Sequence, residues 1–112
     1  MGEEERRAGN EACKAGHFAA AVERYSQALR WAASNPAARP GTQATVYSNR
    51  SAAHMSLGDY ARALADADEA VARRPGWPKF VLRRAVALEA AGRVAEAGEA
   101  FEEAARECGA GS

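Results

Sequence analysis

The chain has 112 residues and a mass of 11.8 kDa, enough for one modest domain or a short repeat array and too little for a multidomain enzyme. Its 15 lysines and arginines balance 15 aspartates and glutamates, which excludes a global polycation suited to nonspecific nucleic-acid binding. Thirty alanines stand against 14 residues drawn from leucine, valine and phenylalanine, with no isoleucine; strong helix formers with so many small residues predict close-packed helices rather than disorder.

Apolar spacing at i, i+3 and i+4 places helices at about residues 4–15, 18–33, 44–57, 60–73, 78–91 and 94–107. The opening Met1-Gly2-Glu3-Glu4-Glu5-Arg6 has no apolar signal-peptide core, and no run reaches the roughly 18 apolar residues of a membrane span, so no membrane insertion is expected. The second helix carries Ala21, Tyr25, Ala28 and Leu29 toward the core. Asn35-Pro36 and Arg39-Pro40-Gly41 then break the pattern and read as a linker insertion near 36–43. Tyr47, Arg50, Ser51 and His54 precede the Gly58-Asp59 turn, and Tyr60, Ala63, Leu64, Ala67 and Val71 follow it. Arg74-Pro75-Gly76 is the next break, with Trp77 expected to pack at the boundary. Glu99, Glu102, Glu103 and Glu107 give the last helix a polar face, and Gly109-Ala110-Gly111-Ser112 reads as a frayed terminus.

Superimposing the chain on itself shows why these elements pair. Gly16, Gly58 and Gly92 are separated by 42 and then 34 residues, and the same offsets relate Phe18, Tyr60 and Val94, then Ala21, Ala63 and Ala97, then Ala28, Ala70 and Ala104. A whole register reproduced twice predicts three units, approximately 2–35, 44–77 and 78–111, each an antiparallel helix pair. The 34-residue period resembles the tetratricopeptide family. That resemblance implies an all-α, right-handed superhelix with a concave ligand-facing surface. No further polar helix caps the C-terminal face, so a longer parent protein or a covering partner is expected.

A narrower resemblance bears on function. Arg6-Arg7-Ala8-Gly9-Asn10, Tyr47-Ser48-Asn49-Arg50-Ser51-Ala52-Ala53 and Trp77-Pro78-Lys79-Phe80-Val81-Leu82-Arg83-Arg84-Ala85 resemble the carboxylate-clamp tetratricopeptide domains of chaperone adaptors. The resemblance implies recognition of the C-terminal Glu-Glu-Val-Asp sequence of heat-shock chaperones of the seventy and ninety kilodalton classes. It carries clamp roles onto Arg6, Asn10, Asn49, Lys79 and Arg83; Arg6 stands where the family usually has lysine, which keeps the charge and changes the hydrogen-bond geometry. Independently of the name, Arg6 and Asn10 are four apart, as are Lys79 and Arg83, so each pair shares a helix face. A terminal carboxylate leaving water needs several such convergent donors.

Cys13, Ala52, Met55, Val86 and Glu89 are further groove candidates, the small and apolar ones suited to a peptide valine. Arg50 and Arg84, one residue around the helix from clamp candidates, read as structural or rim residues. Cys13 and Cys108 form no disulfide framework or metal motif, which favours a reducing, cytoplasmic setting, and Cys108 is expected to be incidental. His17 and His54 lack any nucleophile–base–acid or metal-ligand arrangement, and Asp66, Asp68 and Glu69 read as solvated or locally paired. No catalytic residue, metal or cofactor is expected, nor a nucleic-acid partner, and the isolated domain is expected to be monomeric. The other reading is a general scaffold that binds internal acidic peptides or another folded protein, with no need for a free C-terminus.

Overall fold

A computed structural model describes the backbone of residues 2–110 and the side chains of residues 3–39 and 41–107; Cys108, Gly111 and Ser112, which entered the sequence expectations, lie outside the described side chains or residues. Six helices follow in order: α1 (Gly2–Lys14), α2 (Phe18–Ala33), α3 (Pro40–Ser56), α4 (Tyr60–Arg73), α5 (Pro78–Ala90) and α6 (Val94–Ala110). They form three antiparallel hairpins stacked as an all-α solenoid.

The hairpin turns follow from the repeated glycines. Gly16, Gly58 and Gly92 all have φ near +80° (81°, 77° and 82°), a conformation glycine adopts without a Cβ penalty. The next residue's N–H then reaches back five residues: His17 to the Ala12 carbonyl at 2.8 Å, Asp59 to His54 at 2.9 Å, Arg93 to Leu88 at 2.9 Å. This caps the carbonyl end of each first helix and aims the chain into the second. Asp59 also accepts a hydrogen bond from the Arg62 N–H at the start of α4.

The expected start of α3 was four residues late. Pro40 sits in the first turn of the helix with Arg39 as N-cap, where its missing N–H costs no hydrogen bond and its fixed φ suits a helix. Residues 40–43 are therefore helical, and the connection from α2 is shorter than the break residues suggested. At the other end, α6 continues through Gly109 to Ala110, two residues of the expected frayed segment.

The repeated alanines make the contacts. Ala21, Ala28, Ala63, Ala70, Ala97 and Ala104 are all buried, so the helices approach closely and Tyr25, Val46, Leu64, Phe80 and Leu88 fill the wider gaps. Trp77 departs from its expected packing, and Tyr60 is equally open to solvent. Each is 42% exposed, Tyr60 at a turn and Trp77 at the head of α5 with the Arg74 guanidinium 3.8 Å from its ring centroid. Among the described residues α3 touches both α1 and α5, while neither α1 nor α2 touches α5 or α6. The first helices of the three hairpins thus lie side by side with α3 in the middle.

Candidate functional site

Asn10, on α1, and Asn49, on α3, meet across the first joint. Asn49 Nδ2 donates to Asn10 Oδ1 at 3.3 Å, and the Tyr25 hydroxyl of α2 donates to the same oxygen at 2.6 Å. These residues line an open concavity of about 370 Å³ together with Cys13, Lys14 and Ala52. Its lining combines small or apolar side chains with the two amides, a combination suited to a short side chain next to a polar group; the Lys14 ammonium lies 3.7 Å from Glu11.

On the other side of α3 packs α5. Arg83 Nε donates to Ser48 Oγ at 3.4 Å, which ties it to the residue preceding Asn49. Burial lowers the Arg83 pKa from its ordinary value, because a desolvated guanidinium loses hydration. Among the described residues neither Arg83 nor Lys79 has an ion-pair partner. Lys79 is exposed one turn earlier on the same helix, and Leu82, 47% exposed, lies between them in sequence. Two cations whose charge is not neutralised by the protein thus share α5.

Arg6 is placed differently. Its guanidinium is engaged by Glu3 one turn back, with Nε 3.3 Å from Oε2 and a second nitrogen on Oε1. That hydrogen bond raises the Arg6 pKa and lowers that of Glu3. Of the groove candidates, Cys13, Ala52 and Val86 are half-buried and Glu89 is exposed. Met55 packs against the core cluster of α4, α5 and α6.

Arg50, His54 and Arg84 lie instead against carboxylates of α4. Arg50 donates from Nε and Nη2 to the two Asp66 oxygens at 2.8 and 2.7 Å, and from Nη1 to Ser26 at 2.9 Å. Asp66 is 5% exposed, so of the two roles expected, solvation or local pairing, it takes a pairing role, and a buried one. His54 is buried beside it, with Nε2 3.6 Å from Asp66 Oδ2 and Nδ1 unpartnered; burial lowers its pKa despite the carboxylate. Arg84 reaches Asp68 at 2.6 Å.

Sequence reasoning missed two supports of the site, Tyr25 and Ser48. Both were readable only as core positions, because their partners lie 15 and 35 residues away. Among the described residues no group of three or more His, Cys, Asp or Glu side chains could hold a metal ion, and no helix is long and apolar enough to cross a membrane.

Stacked hairpins whose first helices lie side by side define a helical-repeat scaffold. The family profile described as Tetratricopeptide repeat matches residues 50–112, and the chain belongs to that family. It is 41% identical over 95 residues to human (Homo sapiens) Tetratricopeptide repeat protein 28, covering 85% of this chain and 4% of that protein. It is 51% identical over 67 residues to Hsp70-Hsp90 organizing protein 1 of Glycine max, covering 60% of this chain and 10% of the relative. The chain therefore spans a small fraction of these curated relatives. Among solved structures it resembles the TPR2B domain of yeast Sti1 in complex with an Hsp70 peptide, with a TM-score of 0.82 and 28% identity over 95% of this chain and 78% of that one. It also resembles the second TPR of Spaghetti (RPAP3) bound to the HSP90 peptide SRMEEVD, with a TM-score of 0.78 and 27% identity over 92% and 88% of the two chains.

Proposed function

We propose that this domain is a co-chaperone module that binds the free C-terminal Glu-Glu-Val-Asp end of heat-shock chaperones of the seventy and ninety kilodalton classes. Asn10, Asn49, Lys79 and Arg83 form its carboxylate clamp. The observation that carries this reading is the Asn10–Asn49 hydrogen bond between α1 and α3, with α5 on the other side of α3 carrying two cations that have no ion-pair partner among the described residues. The peptide complexes of the similar Sti1 and RPAP3 domains support it.

Binding of this kind needs no cofactor and no bond-making step. The amides give directional hydrogen bonds to the terminal carboxylate and the aspartate side chain, while Lys79 and Arg83 supply the opposite charge. Arg83 gains most, because its charge is already partly desolvated and a peptide anion replaces the missing hydration. The valine methyls would rest in the concavity over Cys13 and Ala52. Val86 and Glu89 would meet residues further up the peptide, and Met55 would act from the core side. Arg6 joins the clamp by exchanging Glu3 for the peptide, an exchange that costs little because the Glu3 carboxylate is solvent-exposed and water screens the pair. In the full-length protein the module would act as a cytoplasmic adaptor and, by itself, as a monomer.

The Arg6–Glu3 pair is the observation that favours the second reading, a scaffold for internal acidic peptides, since it removes one cation from the proposed clamp. Calorimetry with a Glu-Glu-Val-Asp peptide and its C-terminal amide separates the two. Amidation removes the terminal charge and leaves the side chains intact. Saturable binding that is lost on amidation and weakened by Lys79→Ala supports the clamp; equal binding of both peptides, or no binding by folded protein, rejects it.

A further inference from the structure

Asn10 can present either end of its amide to the groove, and only one end is useful to an anion. With Nδ2 outward it donates to a carboxylate; with Oδ1 outward it repels one. The same-face spacing of Arg6 and Asn10 does not settle which end faces out, so something must hold the amide. Two donors do so here: the Tyr25 hydroxyl at 2.6 Å and Asn49 Nδ2 at 3.3 Å both converge on Asn10 Oδ1. With that oxygen saturated, Nδ2 is left for the ligand. Of the two, the phenol is the closer and the more firmly held, since Tyr25 is 1% exposed.

We infer that Tyr25 is a positioning residue for peptide recognition, its buried hydroxyl fixing the Asn10 amide in the donor-outward orientation. The inference rests on the clamp reading and adds to it a residue that touches no ligand.

Three observations converge on it. The phenol proton is committed to Asn10, because its other neighbour, Cys13 Sγ, is a weaker acceptor at 3.8 Å. Burial also raises the Tyr25 pKa, so the hydroxyl stays a donor throughout the physiological range. Second, α1 makes room for the ring. A Cβ on Gly9 would lie 2.5 Å from Tyr25 Cε1 and 2.7 Å from Cδ1, distances no side chain tolerates, so glycine beside Asn10 is what lets the phenol reach the amide. Third, the repeat register separates packing from positioning. At offsets of 42 and 34 residues, Gly9 corresponds to Ser51 and Ala85, Asn10 to Ala52 and Val86, and Tyr25 to Ala67 and Phe101. The third repeat fills the Tyr25 position with a phenylalanine that packs against its core cluster, opposite a valine with nothing to orient. An aromatic ring without a hydroxyl therefore serves the packing role, and the hydroxyl occurs where the amide does.

The test is a binding cycle of Tyr25→Phe and Asn10→Ala, separately and together, against the free-acid Glu-Glu-Val-Asp peptide. Tyr25→Phe is expected to weaken binding about tenfold, the equivalent of one directional hydrogen bond, and to have no effect on binding in the Asn10→Ala background. If the unmodified domain binds and Tyr25→Phe binds equally well, or loses the same factor with and without Asn10, the inference is overturned while the clamp stands. If the unmodified domain does not bind, the clamp itself fails. Should Tyr25→Phe not fold, nuclear Overhauser contacts of the wild-type Asn10 side-chain amide decide: NH2 protons remote from the Tyr25 ring edge support the inference, and protons close to it overturn it.

Discussion

Neighbouring residues on α3 and α5 end in two different regions of the molecule. Asn49 and Arg83 make their hydrogen bonds to Asn10 and Ser48 on the neighbouring first helices, while Arg50 and Arg84, one residue further along, reach back to Asp66 and Asp68 of α4. On the back, each guanidinium meets a carboxylate from the same chain and its charge is neutralised. On the first-helix side, among the described residues, Arg83 has a serine hydroxyl and no carboxylate, and Lys79 has no ion-pair partner. A step of about 100° around a helix separates charge neutralised within the fold from charge that meets no carboxylate among the described residues. Exposure alone does not mark the difference, since both Arg83 and Arg84 are half-buried.

The comparison can be broken most forcefully at Asp66. Asp66→Ala leaves the Arg50 guanidinium without its bidentate partner and His54 without its neighbouring carboxylate, and is expected to cost about 3 to 5 kcal/mol in urea unfolding. The groove residues are untouched, so at temperatures where the variant is folded its affinity for the free-acid peptide should hold. Loss of binding by a folded Asp66→Ala domain would show that the two regions are not separable. Arg83→Ala inverts the pattern. Peptide affinity should fall by about 1.5 to 3 kcal/mol, the range for a charge-assisted hydrogen bond, while the melting temperature stays level or rises because an unpaired, partly desolvated cation has been removed. The smallest effect belongs to Arg84→Ala. Its pair with Asp68 is substantially solvent-exposed, with side chains 32% and 50% accessible, and about 0.2 to 1 kcal/mol of stability is expected to go, with no change in binding. A marked affinity loss there would extend the recognition surface onto the back of α5.

Much of the fold was legible because it repeats. The glycine and alanine register located the hairpin turns, and α2 and α4 run over the residues their periodicity predicted. Pro40 was misread because proline both breaks a helix and begins one; which role it takes depends on whether the preceding turn is already helical, and here it is not. The groove residues on α1, α3 and α5 were legible as residue types on shared faces, and the structure joins Asn10 to Asn49 directly. What holds them was not legible. Tyr25 falls at a core position of the register, so nothing in its spacing sets its hydroxyl apart from the ring, and Ser48 reads as one more small residue in a packed helix. Asp66 was hidden for a similar reason. Its carboxylate reads as solvated or locally paired in a polar stretch of α4 until Arg50, 16 residues earlier, is brought against it. Long-range partners of single polar atoms leave no periodic trace.

The absence of contact between the first and third hairpins among the described residues gives the proposed ligand a mechanical part to play. Each hairpin is held only by its neighbour, so the two outer ones can move apart through small changes at the α2–α3 and α4–α5 joints without breaking any direct bond between them. A peptide gripped by Asn10 at one end of the array and by Lys79 and Arg83 at the other would be a tie-rod across both joints. Loading the groove would then stiffen the whole spring, and the two outer hairpins, strangers in the empty domain, would unfold together.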